Sequence, residues 1–301
     1  MAPHARIATV DSSTLQIILS GLGTGSIYAL IAVGFNIIFK STGALNFAQG
    51  EWVMMGGLLA AFCFNDAQMP VWQACLLAGL AVAVIGGLTE RLLIRPLLNQ
   101  TPFAITLVTV GIALLSKSLV MLSLGKNPVG YPGLSQTAFV PLWGASVATQ
   151  TLWILGITLV FMILAQLFFN HTRWGCAMRA AAANPAAAAL VGIRHHRVVL
   201  GSFIIAAAVG GLAGTIITPL TLMSYDSGAM LGFKGFSAAM LGGLGSLFGA
   251  TLGGLLLGLL EALVSGFITS QFKDAAAFLV LLLVLVLRPQ GLLGKAEVTK
   301  L

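Results

Sequence analysis

The chain has 301 residues, of which 58% are hydrophobic and only 8% charged, and its mean hydropathy is +1.01. A water-soluble domain carries about 25% charged residues, so a soluble enzyme is excluded; so is disorder, which requires low hydrophobicity and high net charge. A polytopic membrane protein remains, and its net charge of +7 reads as basic loops on the cytoplasmic side rather than as a nucleic-acid surface.

Arg6 precedes an apolar stretch at 15–39. That stretch is far longer than the ~7–15-residue core of a secretory signal, and no small-x-small cleavage site closes it, so it reads as the first span. Stretches at or near spanning length follow at 44–64, 71–93, 103–122, 151–169, 198–219 and 251–270. Two are shorter: 235–250, rich in glycine, and 275–287, which ends in an unbroken run of Leu and Val. A backbone in lipid must satisfy its own hydrogen bonds, and these runs are too long and too evenly apolar for the strands of a membrane barrel. The expectation is an all-α polytopic fold in one transmembrane domain covering 1–301, with about eight to nine membrane helices. At least one segment is short or re-entrant, with 235–250 the candidate.

Loop charges set the orientation. Segment 65–70 has no Lys or Arg, 90–101 has Arg91 and Arg95, and 123–148 has Lys126 alone. Segment 171–197 has Arg173, Arg179, Arg194 and Arg197, and the C-terminus has Arg288, Lys295 and Lys300. This alternation obeys the positive-inside rule with loop 171–197 and the C-terminus in the cytoplasm, Lys40 at a short inner turn and the N-terminus outside. Met54-Met55-Gly56-Gly57-Leu58 resembles Met240-Leu241-Gly242-Gly243-Leu244; with the two running in opposite directions, this is the pattern of an inverted repeat. Small residues four apart, as at Gly21/Gly25, Gly210/Gly214 and Gly254/Gly258, predict close helix packing. Cys63, Cys75 and Cys176 are too scattered for a disulfide or metal framework.

Loop 171–197 carries the clearest local signals. Asn184 is a good N-cap, Pro185 suits the first helical position, and Gly192 suits the left-handed residue that ends a helix. A short helix over 185–191 follows, its surface nearly all alanine. Such a helix either docks in a partner's groove or lies at the membrane interface.

The loop resembles the cytoplasmic coupling loop of ABC importer permeases, specifically the branched-chain amino-acid class (LivH-like). Other segments carry the same resemblance, which runs from about Gly21 to Gly294. They are Gly25-Ser-Ile-Tyr-Ala-Leu-Ile-Ala-Val-Gly34, Leu45-Asn46-Phe47-Ala48-Gln49-Gly50-Glu51, and Lys273-Asp274-Ala with the Leu/Val run and Arg288-Pro289-Gln290-Gly291-Leu292. Gln49 stands where that family often has His, which argues against a proton-carrying role there. The resemblance implies a bacterial inner-membrane subunit that pairs with a homologous permease, as a heterodimer or a homodimer. Two cytoplasmic ATPase subunits would hold ATP and Mg, this chain holding no cofactor, and a periplasmic binding protein would deliver an amino acid or related small solute. ATPase coupling would then fall to Arg179, Asn184, Pro185, Ala186, Ala187, Ala188, Ala189, Leu190, Gly192 and Ile193, with bulky charged replacements of Ala187 or Ala188 expected to abolish uptake.

Polar residues in spans are costly and rare. Asn46, Gln49 and Glu51 at the start of the second span either face a translocation pathway or form a helix-terminal cluster. Glu261, mid-span with no Lys or Arg within four residues, pairs with another helix, lines the pathway or carries a proton. Glu90 and Arg91 close the third span, by surface pairing or in contact with an ATPase. Tyr225 and Asp226 lie in the outer region as a solvated pair or a contact for the binding protein. The rivals to an importer are an intramembrane protease, which lacks a histidine base or a second aspartate at membrane depth, and an ion-gradient-driven carrier or channel, which has no use for a docking helix.

Overall fold

A computed structural model describes residues 4–135, 137–142, 145–288 and 290–294; Pro289, Lys295 and Lys300 lie outside the described residues. The chain forms helices α1 (His4–Thr42), α2 (Gln49–Asn65), α3 (Val71–Thr89), α4 (Pro102–Leu124), α5 (Thr149–His171), α6 (Arg173–Ala183), α7 (Pro185–Leu190), α8 (His195–Thr221), α9 (Ser227–Gly242), α10 (Leu247–Phe267) and α11 (Lys273–Leu287). A π-turn at Glu90–Ile94 and a 3-10 turn at Arg95–Leu97 extend α3, where Pro96 forbids a regular continuation. Strands β1 (Phe139–Leu142) and β2 (Ala145–Ala148) make a small antiparallel hairpin with Phe139 opposite Ala148. Seven of the described helical segments are long and apolar enough to cross a membrane. The expected all-α polytopic architecture is therefore the observed one, with α2 and α9 as additional shorter helices.

These two short helices correct the expected boundaries. α2 begins at Gln49, not at 44, because Gly43–Ala48 leaves the helical conformation. Gly43 has φ +68. Two threonines of α4 then satisfy the freed amides: Leu45 N donates to Thr106 Oγ1 and Phe47 N to Thr109 Oγ1, both at 3.1 Å. Likewise 235–250 is not one segment. Gly243 and Gly245 have φ +107 and +81, breaking the chain between the end of α9 and the start of α10. With 17 and 16 residues, α2 and α9 are only about 25 Å long, short of a hydrocarbon core of about 30 Å. Protein covers most of both, so neither has to match the bilayer by itself.

Gln49 Nε2 donates to the carbonyl of Ala206 at 3.0 Å, about three turns along α8. α2 thus starts deep within the bundle. The start of α9 meets it there: a methyl placed on Gly50 would strike Gly232 Cα at 2.6 Å, and one on Gly228 would strike the Glu51 carboxylate. The similar pentapeptides 54–58 and 240–244 occupy different places, mid-α2 and the end of α9 with its turn, although the two helices run in opposite directions. α1 and α10 cross closely, as their glycines predict; a methyl on Gly25 would lie 2.8 Å from Leu255 Cα.

Lys40 stacks on Phe169 at 5.9 Å, Asn36 Oδ1 accepts from Gly245 N, and Leu292 N donates to Leu241 O at 2.9 Å. The ends of α1, α5, α9 and the last described residues therefore gather at one end of the bundle. The β-hairpin and the Val129–Met223 bridge lie at the other.

Candidate functional site: a charged cavity and a projecting arm

Glu261 on α10 is 4% exposed, and three helices supply its neighbours. The Tyr28 hydroxyl of α1 donates to Oε2 at 2.8 Å. Lys234 of α9 places Nζ 3.1 Å from both carboxylate oxygens and 2.7 Å from Asp274 Oδ1 of α11. The ammonium also sits 5.4 Å from the Tyr28 ring centroid, a cation–π distance. One cation thus links two carboxylates on two helices, which makes the buried charges tolerable; an isolated one would be expelled or neutralised. Lys234 was not anticipated. Its signal was a cation inside a glycine-rich apolar run, far from Glu261 in sequence.

This cluster lines a cavity of about 440 Å³ between α1, α8, α9 and α10. Hydroxyls of Ser20, Thr24, Ser227 and Ser265 share its wall with Met230 and Lys273. The cavity lies toward the hairpin end, since its wall includes Thr221 and Leu222 at the end of α8.

Asn46, Gln49 and Glu51 are at most 3% exposed. Asn46 Oδ1 accepts from Ala48 N at 3.2 Å, closing the turn that precedes α2. The Gln49 carboxamide packs against Gly34 and Gly210. Glu51 turns its carboxylate onto Gly228 at the first turn of α9, where helix amides favour a negative group. The three therefore hold the junction of α1, α2, α8 and α9. Glu90 is fully buried on its side chain and pairs with Arg95 at 3.2 Å, not with its neighbour Arg91. Asp226 is exposed and accepts from Ser224 Oγ at 2.5 Å.

The second region is the arm between α5 and α8. Thr172 caps α6 by accepting from Gly175 N at 3.0 Å. Gly175 seats the elbow, since a methyl there would lie 2.6 Å from Phe169 Cα. Asn184 caps α7 as expected, accepting from Ala187 N at 3.0 Å, and Gly192 has φ +84. α7 ends at Leu190, one residue before the expected end. Ala188 is 4% exposed and faces the protein's own core, whereas Leu190 is 90% and Val191 76% exposed. The outward face is therefore Ala187, Ala189, Leu190 and Val191, and Ala188 belongs to the seat. Arg179 is exposed on α6, on the rim of a cavity shared with Lys40 and Ser246.

A family model described as "Branched-chain amino acid transport system / permease component" matches residues 17–287. The "High-affinity branched-chain amino acid transport system permease protein LivH" of Escherichia coli (strain K12) is 33% identical over 95% of this chain and 97% of its own length. LivM, likewise a high-affinity branched-chain amino acid transport system permease protein of Escherichia coli (strain K12), is 23% identical over 95% of this chain and 70% of its own length. Among solved structures, PsaBC from Streptococcus pneumoniae in complex with Fab aligns with TM-score 0.50 at 12% identity, covering 90% of this chain and 91% of that one, a likeness of fold alone.

Proposed function

The chain belongs to the family of branched-chain amino acid transport system permease components, and from that premise we propose that it forms one membrane-crossing subunit of an ATP-driven importer of branched-chain or related amino acids. LivH and LivM, two related permease proteins of one system, support pairing with a homologous second permease. ATP and Mg bind two cytoplasmic ATPase subunits, and a periplasmic binding protein delivers the solute. The end of the bundle bearing Lys40, the arm and Arg288 faces the cytoplasm, as its positive charge favours.

The observation that carries this reading is the arm. α7 is capped at Asn184, stopped at Gly192 and seated through Ala188, so it moves as a rigid body. It presents two large apolar side chains, Leu190 and Val191, away from the bundle. An apolar face on a short helix suits a groove in a partner; closure of an ATPase around it shifts α6 and the start of α8 together. The solute path runs past the cavity at Tyr28, Lys234 and Glu261, whose opposite charges match the ammonium and carboxylate of an amino acid.

Reconstitution tests the proposal. Liposomes containing this chain, its permease homologue, the ATPases and the binding protein accumulate leucine or another cognate amino acid only with ATP inside the ATPase compartment. Accumulation by the permeases alone under an imposed proton or sodium gradient would instead establish the carrier.

A further inference from the structure

The root of the arm, where α6 leaves α5 and α8 re-enters the bundle, frames an open cavity of about 400 Å³ that the importer function leaves unexplained. Arg173, Arg194 and Arg197 line it, together with Trp174, Gly192 and Val198. None of the three arginines forms an ion pair among the described residues. All three sit where positive charge is unfavourable: Arg173 opens α6, while Arg194 precedes and Arg197 follows the start of α8. Helix N-termini are themselves positive, so this arrangement costs stability until an anion joins it.

Trp174 fixes the depth of the cavity. A methyl on Gly201 would lie 3.5 Å from the indole Cζ3, so the ring lies against α8 less than two turns from His195. It is nevertheless 52% exposed. A tryptophan with one face on a spanning helix and the other open belongs at the level of lipid headgroups. One turn farther along α8, Ile204 is 38% exposed and offers an apolar contact in the direction an acyl chain would take. Positive guanidinium groups at the headgroup level, beside an aromatic ring and above an apolar contact, match a phosphodiester with its acyl chains better than an acidic protein surface.

We infer that the Arg173–Arg194–Arg197 cavity binds the phosphate of an anionic phospholipid of the inner leaflet, with Trp174 against its glycerol region. The lipid braces both ends of the arm that carries α7, tying the arm to the bilayer and making coupling sensitive to lipid charge. The inference rests on the membrane placement of the chain and not on the identity of the solute.

Native mass spectrometry of the detergent-purified importer complex, titrated with phosphatidylglycerol and with phosphatidylcholine of the same acyl chains, tests it. The wild-type complex retains phosphatidylglycerol preferentially. Arg173→Gln, Arg194→Gln and Arg197→Gln each lower that retention by about fivefold, as removal of one basic contact to an anionic lipid implies. Arg91→Gln, an exposed arginine at the same end, leaves it unchanged. The single variants keep the test independent of whether a triple variant assembles. Equal retention by wild type and all three variants overturns the proposal. So does loss of the ATPase subunits with phosphatidylglycerol retention intact, which would assign the arginines to a protein interface. Displacement of the lipid by millimolar inorganic phosphate would instead make the site one for a free anion, against the lipid assignment.

Discussion

Lys234 on α9 and Glu261 on α10 lie 3.1 Å apart in the interior of the bundle, and the same ammonium reaches Asp274 on α11 at 2.7 Å. Together with the Tyr28 hydroxyl of α1, this ties four helices through a single cation. Removing the cation strands the buried Glu261 carboxylate, at a cost of about 3–5 kcal/mol, whereas removing Glu261 leaves the ammonium paired with Asp274. Lys234→Met is therefore expected to lower the thermal stability of the purified protein markedly, and Glu261→Met to lower it less. The double variant Lys234→Met/Glu261→Met is expected to recover much of the loss of Lys234→Met, the Asp274 side chain being 34% exposed to solvent. Thermal unfolding in detergent checks this; additive losses in the double variant would show that the two residues do not interact.

A milder variant of the same cluster separates structure from transport. With the cavity on the solute path, Tyr28→Phe, which removes one hydrogen bond to a carboxylate worth about 1.5–3 kcal/mol, retains the fold and alters uptake. Uptake rates at saturating and limiting solute, measured below the melting temperature of the variant, decide the point.

The break before α2 depends on α4. In Thr109→Val the amide of Phe47 loses its acceptor within the bundle, an orphaned donor that costs about 1–3 kcal/mol. Thr109→Ser, which keeps the hydroxyl, is expected to behave as wild type. Thermal unfolding of the three proteins is the check, and equal stability of the valine variant would mean that the segment finds another partner.

Close approach of α1 and α10 predicts a sharp positional contrast. Gly25→Leu drives a side chain into the backbone of Leu255, and overpacking of this kind costs about 1–3 kcal/mol or more. Gly111→Leu, where nothing lies within 4 Å, is expected to be neutral. Expression level and melting temperature of both variants test the crossing.

Sequence periodicity and charge revealed the membrane class, the order of the long helices and the caps of α7, because each depends on local chemistry: apolar length, loop arginines, Asn184, Gly192. Three features were hidden because they depend on contacts between distant segments. The late start of α2 follows from two threonines of α4 that no local pattern in 44–64 announces. The pairing of Glu261 with Lys234 joins residues on different helices, so no spacing within one helix reveals it. Ala188 and Ala187 are indistinguishable in a run of alanines, and only the seating of α7 separates the buried one from the exposed one. A charged replacement at Ala188 therefore disrupts the seat of the arm, and Ala187 or Leu190 is the cleaner site to probe docking.

The central claim is that the exposed face of α7 transmits ATP hydrolysis to transport, and Leu190→Glu tests it most directly. Leu190 is 90% exposed, so the substitution leaves insertion, melting temperature and pairing with the second permease unchanged. The account predicts that proteoliposomes carrying this variant, with all partner subunits and ATP present, lose solute accumulation and solute-stimulated ATP hydrolysis. Accumulation at the wild-type rate by a correctly assembled Leu190→Glu importer would contradict it.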